Sequence, residues 1–218
     1  MSYIVIGDIH GCARKLNRLL DRIESIPNRI AVFVGDYVDI GPDSKQVITR
    51  LIEFSRIHPN TIFLGGNHDF GMLEYLQYGN FVKYAKEGGI STIVSYCGTV
   101  LKNPYTEFRR AVPNSHLQFL SNLRPFFETD ALFISHCGLD PKQPLQRTID
   151  KVALGTHREL FTSVGLAGKL IVCGHYYQRT LTPFISPYFI CVDTGCGTLP
   201  EGRLSALLLP ERSIIQES

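Results

Sequence analysis

Residues 29–41 read "RIAVFVGDYVDIG". The run "RIAVFV" is the pattern of a strand buried on both faces, and it ends at a glycine. Asp36 and Asp39 follow, three apart, between Gly35 and Gly41. Beyond them "PDSKQVITRLIEFSRI" (42–57) brings Val47, Ile48, Leu51 and Ile52 back at helical spacing. A buried strand, a short polar loop and an amphipathic helix make a β-loop-α unit. Two carboxylates at a strand exit suit a cation or a proton, yet Ile40 beside them offers neither charge nor hydrogen bond.

The same unit recurs on either side. "YIVIG" (3–7) precedes "CARKLNRLLDRIESI" (12–26), where Leu16, Leu19, Leu20, Ile23 and Ile26 form a helical stripe, and "TIFLGGN" (61–67) is a third strand. Right-handed crossovers would join these into a largely parallel sheet. Residues 68–125 read as mainly helical, with a Ser115/Gln118 capping box opening "SHLQFLSNL". The pattern then changes to strand-like pieces, "ALFISHCG", "KLIVCGH", "YFICVDTG" and "RLSALLL", which are expected to build a second sheet.

At 218 residues with 44% hydrophobic and 19% charged content, the chain is sized for one substantial core, and a single domain over 1–218 is expected. Twenty-two Lys and Arg against 20 Asp and Glu advertise no general attraction to nucleic acid or to an anionic membrane. No basic segment followed by an apolar stretch opens the chain and no apolar run reaches membrane-span length, so a cytoplasmic location is expected. The six cysteines form no CxxC pair, and buried reduced thiols fit them better than a thiolate zinc site or a redox pair.

Five strand-like runs each end in a small polar cluster: "GDIHG" (7–11), "GDYVD" (35–39), "GNHD" (66–69), "HCG" (136–138) and "GH" (174–175). Loops at the carboxyl ends of strands in open α/β sheets face a common crevice, so the clusters can converge. Carboxylates, a carboxamide and imidazoles form a mixed nitrogen and oxygen ligand set suited to manganese, iron or zinc. Six candidate ligands exceed the needs of one tetrahedral ion but match two ions sharing a carboxylate. Two ions roughly 3.5–4 Å apart activate a water and neutralise a phosphoryl group, which makes phosphate ester hydrolysis the natural reaction.

In this order the motifs closely resemble the GDxHG, GDxVDRG, GNHE, HGG or HxG, and GH motifs of the phosphoprotein phosphatase family of calcineurin-like metallophosphoesterases. At this length the chain is most similar to the compact lambda-type phage and bacterial serine/threonine phosphatases. The resemblance implies an α/β metallophosphoesterase fold, a two-sheet β-sandwich flanked by helices in α/β/β/α layers. It also implies a pair of divalent ions, manganese first and iron or zinc otherwise. Asp8 and His10 would hold the first ion, Asp36 would bridge, and Asn67, His136 and His175 would complete the second. His68 would be the general acid, oriented by Asp39, with direct attack by a metal-activated water. Asn67 and Arg158 would face the substrate phosphate, Arg158 because "GTHREL" resembles the family's WxRE, although the tryptophan is missing.

Two departures matter. Ile40 occupies the place of the family's phosphate-binding arginine, and "GHYY" carries Tyr177 where many other metallophosphoesterases have the second histidine of GHxH. The first-choice substrate is a phosphoserine, phosphothreonine or phosphotyrosine protein. The alternative is a dinucleoside polyphosphate or another small nucleotide, and a third reading is a metal-binding regulatory protein without catalysis. His58 and His116 are expected on the surface. His157 is open, and Asp193 is either a turn former or a support for the site.

Overall fold

The computed structural model describes residues 2–99, 102–164 and 168–218. Strands β1 (Ser2–Ile6), β2 (Arg29–Phe33) and β3 (Ile62–Phe63) lie side by side and parallel, connected through helices α1 (Ala13–Ile23) and α2 (Ser44–Ile57). Successive side chains of a strand point to opposite faces. Ile4 and Ile6 of β1 and Ala31 and Phe33 of β2 therefore meet the helices, where Leu16, Leu19, Leu20, Val47, Ile48 and Leu51 are buried with them. Tyr3, Val5, Val32 and Val34 point the other way, into the space between two sheets. Both faces are covered, so these strands read as unbroken apolar runs.

Helices α3 (Asn67–Tyr78), α4 (Phe81–Lys86), α5 (Gly89–Cys97), α6 (Pro104–Ala111) and α7 (Asn114–Ser121) extend the same outer layer. Met72, Tyr75, Tyr84, Ile93, Phe108 and Leu120 from these helices join the α1 and α2 core. The second sheet contains β4 (Phe126–Glu128), β5 (Leu132–Ser135), β6 (Leu170–Cys173), β7 (Phe184–Ile185) and β8 (Phe189–Cys191), in the order β4-β5-β6-β8-β7. Leu132, Ile134, Val172, Ile190 and Val192 face the first sheet. Phe133, Ile171, Cys173, Phe189 and Cys191 face outward, beneath Leu139, Val152, Leu160 and Tyr176. The layer covering that outer face is thin: a four-residue helix α8 (Ile149–Val152), a 3-10 turn (Arg158–Thr162) and loop.

The fold is thus two sheets with flanking helices, as expected, but "RLSALLL" lies in the other sheet. It forms β9 (Leu204–Leu209), which pairs antiparallel with β1 and with β10 (Ser213–Glu217), giving the first sheet the order β10-β9-β1-β2-β3. The first sheet is mixed rather than largely parallel. Alternation could not assign β9, because a strand buried on both faces suits either sheet. The capping box is also absent: α7 starts at Asn114 after Pro113, and no side chain caps it. With Pro113 at the N-cap, Ser115 lies inside the helix, where it cannot serve as the cap residue. No described helix is long and apolar enough to cross a membrane.

Candidate active site

The polar clusters sit on loops that leave β1, β2, β5 and β6 and on the start of α3, and backbone bonds tie the loops together. Ile9 and His10 N–H donate to the Asp36 carbonyl at 3.0 and 2.9 Å, and Gly11 N–H donates to Tyr37 at 3.0 Å. The Asp69 carboxylate accepts from Asp36, Tyr37 and Gly66 N–H at 2.7, 2.9 and 2.9 Å, locking the β2 loop to the start of α3. His10, Asp36, Asp39, Ile40 and His175 all have positive φ, between 44° and 68°. Such conformations cost roughly 1–3 kcal/mol each and persist only where the surroundings impose them. Two glycines permit the close approach: a Cβ on Gly66 would collide with Asp36 Oδ1, and one on Gly174 with Asp8 Oδ1.

Every residue expected at the centre is brought there except Arg158, which lies at its edge. His136 Nε2 is 3.2 Å from Asp36 Oδ2 and 3.1 Å from Asn67 Oδ1. His175 Nδ1 is 3.1 Å from the same Asn67 oxygen, and His175 N–H donates to Asp8 Oδ2 at 3.0 Å. His10 Nε2 lies 3.6 Å from Asp36 Oδ2. His68 Nδ1 is 3.1 Å from Asp39 Oδ2, and His68 N–H donates to Asp36 Oδ1 at 3.0 Å. Asp8, His10, Asp36, Asp39 and His136 are all buried.

Charge is crowded here. Burial raises the Asp8 carboxyl well above the usual range, and the Asp193 and Asp36 charges add to it. Burial also pushes Asp36 upward, but His136, His68 and His10 outweigh it and hold that carboxyl well below the usual range. Burial opposes protonation of His68, yet Asp36 and the bond to Asp39 prevail and raise it to about 9. His175 is lowered to about 4 by burial and then by His136.

The residues fit a pair of cations. His10 Nδ1 and His136 Nδ1 each lie 3.2 Å from a backbone carbonyl, of Val38 and Val34 respectively. A carbonyl only accepts, so each Nδ1 carries a proton and Nε2 is the nitrogen left to face an ion. Asp36 Oδ2, His136 Nε2, Asn67 Oδ1 and His175 Nδ1 gather at the same place, each 3.1–3.2 Å from the next. Ligand atoms about 2.1 Å from one ion lie about 3.0–3.4 Å apart. Asp8 Oδ1 is buried with no hydrogen-bond partner at all. Cys137 is adjacent, but burial raises its thiol, and it packs as a core residue.

Several residues differ from expectation or were missed. His116 is buried, between Tyr96 Oη at 2.7 Å and Thr49 Oγ1 at 3.2 Å, because Tyr96 of α5 folds across its helix. His58 is half-buried near Glu24, and His157 is buried with Nε2 2.6 Å from the Lys151 carbonyl. Asp193 accepts from Gly195 N–H at 2.9 Å, a turn bond, while its charge also reaches Asp8. Tyr84 and Thr92 each donate to Asp39 Oδ1 at 2.7 Å. They come from α4 and α5 and carried no local signal. Asp69 lay inside a recognised motif, where its position beside His68 was the available clue.

The profile of the calcineurin-like phosphoesterase family matches residues 1–179. Among curated relatives, the chain is 26% identical to the asymmetrical bis(5'-nucleosyl)-tetraphosphatase PrpE of Oceanobacillus iheyensis, across 99% of this chain and 91% of that protein. A crystal structure of a chain provisionally called a diadenosine tetraphosphatase superposes with a TM-score of 0.69 at 24% identity, covering 99% of this chain and 92% of the other. A serine/threonine phosphatase from Saccharomyces cerevisiae superposes with a TM-score of 0.58 at 16% identity, covering 100% and 79%. With the family profile spanning most of its length, this chain belongs to the calcineurin-like phosphoesterases and is a phosphoester hydrolase.

Proposed function

We propose that the protein is a two-metal hydrolase of dinucleoside polyphosphates. The observation that carries this reading is the likeness to an asymmetrical tetraphosphatase along nearly the whole of both chains. The motifs by themselves rank a phosphoprotein substrate first. Ile40, in place of the arginine that would clamp a phosphomonoester, is a further reason to prefer a substrate with additional handles.

Asp8, His10, Asp36, Asn67, His136 and His175 would hold the ions, with Asp36 shared and manganese the first choice of metal. Such a pair supplies an activated water and neutralises the phosphoryl group under attack. Asp39 accepts from His68 Nδ1 at 3.1 Å and so directs Nε2, with its proton, at the leaving oxygen. Tyr84 and Thr92 hold Asp39 in place through its other oxygen. Asn67 and Arg158 are assigned to the phosphate, Arg158 from the edge of the site.

The test is hydrolysis of diadenosine tetraphosphate by the manganese-loaded protein, with chromatography of the nucleotides released, beside a phosphoserine peptide and p-nitrophenyl phosphate. Release of ATP and AMP at a kcat/KM well above that for the peptide is expected. Turnover of the peptide without turnover of the dinucleotide would return the phosphoprotein reading to first place. No turnover of any substrate with manganese, zinc, iron or magnesium would leave a metal-binding regulatory role.

A further inference from the structure

A hollow of about 410 Å3 opens outward from His175 and is lined by Arg158, Phe161, Tyr176, Tyr177, Gln178 and Arg179. Ligand pockets for small molecules occupy roughly 300–1,000 Å3. Tyr176 is drawn inward: its hydroxyl donates to the Cys137 carbonyl at 3.1 Å and accepts from His157 N–H at 2.6 Å. Gln178 N–H is spent on the Asp193 carbonyl at 3.0 Å. Tyr177, between these two anchors, and Arg179, just after them, are both exposed. The Arg179 guanidinium sits 6.0 Å from the Tyr177 ring centre.

The two arginines of this hollow have no carboxylate partner among the described residues. Glu159, next to Arg158, turns to Lys142 at 3.2 Å instead. No acid lines the hollow. An aromatic ring beside a guanidinium with no carboxylate partner among the described residues, at the edge of a phosphate-cleaving centre, suits an aromatic base carried on phosphates: bases stack on aromatic side chains and phosphate oxygens take charge-assisted bonds from arginine.

We propose that Tyr177 and Arg179 form the binding site for the nucleotide that extends outward from the reacting phosphate, with Tyr177 stacking on the base and Arg179 gripping the phosphates. This rests on the dinucleoside polyphosphate reading and names the residues that recognise such a substrate. It gives a role to Tyr177, the departure from GHxH that the metal ligands leave unused. It also supplies cationic side chains, Arg158 and Arg179, beside His175.

Isothermal titration calorimetry of the manganese-loaded protein with ADP and with pyrophosphate, in excess Mn2+, separates the two halves of the site. Stacking of this kind is expected to give ADP a Kd about tenfold below that of pyrophosphate. Tyr177→Ala removes that gap and Tyr177→Phe keeps it, whereas Arg179→Ala weakens both ligands about tenfold or more. Melting temperature and metal content confirm that each variant is folded and loaded. Equal affinities for ADP and pyrophosphate in the native protein, or a gap that survives in Tyr177→Ala, overturns the stacking role. An unchanged pyrophosphate Kd in Arg179→Ala overturns the phosphate role. Turnover of diadenosine tetraphosphate judges the substrate separately: an ADP preference lost in Tyr177→Ala, with no such turnover, leaves the nucleotide site standing and removes the dinucleotide as substrate.

Discussion

His68 Nδ1 lies 3.1 Å from Asp39 Oδ2, and the other Asp39 oxygen accepts from Tyr84 and Thr92 at 2.7 Å each. One imidazole is therefore oriented by a buried carboxylate whose remaining capacity is already taken by the helical layer. This couples the β2 loop, the start of α3, and helices α4 and α5 in a single hydrogen-bonded chain.

That chain predicts a leaving-group signature. His68→Asn should lower kcat by roughly 10²–10⁴ for substrates whose leaving oxygen needs a proton, and far less for p-nitrophenyl phosphate. Tyr84→Phe should show a milder loss with the same pattern, because it loosens Asp39 without removing it. Rates on phenyl phosphate and p-nitrophenyl phosphate check this. Equal losses on both would remove His68 as the proton donor.

Metal content separates the carboxylates. Asp36→Asn weakens the only ligand assigned to both ions and should cost occupancy at both, while Asp8→Asn should cost chiefly one. Elemental analysis after dialysis reads the difference. Metal at about a hundredfold over its Kd should also stabilise the native protein by about 2.7 kcal/mol, seen as a melting temperature that rises with added manganese. Two tightly held ions in Asp36→Asn would refute the bridging role.

Ile40 is 38% exposed and has φ +66°, with its N–H 3.3 Å from the Gly88 carbonyl in the turn between α4 and α5. A β-branched side chain in the left-handed region is strained, so Ile40→Arg should not lower the melting temperature. If the arginine reaches the phosphate, kcat/KM for a phosphoserine peptide should rise about ten- to a hundredfold, with a smaller effect on diadenosine tetraphosphate. Unchanged monoester turnover in a stable, fully metallated variant would show that other groups already hold the phosphate.

His116 predicts a pH dependence of stability away from the metal centre. Burial, aided by Lys45, lowers its pKa in the folded protein. Below about pH 6.5 the unfolded chain takes up a proton that the folded chain refuses, so this contribution is intact above the unfolded pKa and is lost as pH falls toward the folded one. Urea unfolding between pH 7.5 and 5 should show a shallower loss of stability for His116→Gln than for the native protein. The slopes should differ by at most one proton, about 1.4 kcal/mol per pH unit. Identical slopes would mean that His116 titrates alike in both states.

The β-loop-α units and the five polar clusters were legible because their information is local. A buried strand reads as an apolar run, a helix as a stripe at its own period, and each ligand-bearing loop begins where a strand stops. The pairing of His68 with Asp39 followed from the resemblance of their motifs to those of the family. Tyr84 and Thr92 could not be found that way, since they reach Asp39 across 45 and 53 residues from helices that look like ordinary amphipathic segments. Nor could Asp69, whose bonds run to backbone N–H groups that have no residue identity to read.

The sequence by itself determined the family, through the order of its motifs, and the apolar faces of most strands and helices, through periodicities that act over a few residues. Only the tertiary structure decided that Leu204–Leu209 joins the first sheet, that His116 is buried, and that Tyr177 and Arg179 are exposed beside His175. A strand with two apolar faces fits either sheet, and a histidine in a helix is inside or outside according to the neighbour that folds over it. Those outcomes depend on which distant surfaces are left to be covered once the rest of the chain has packed.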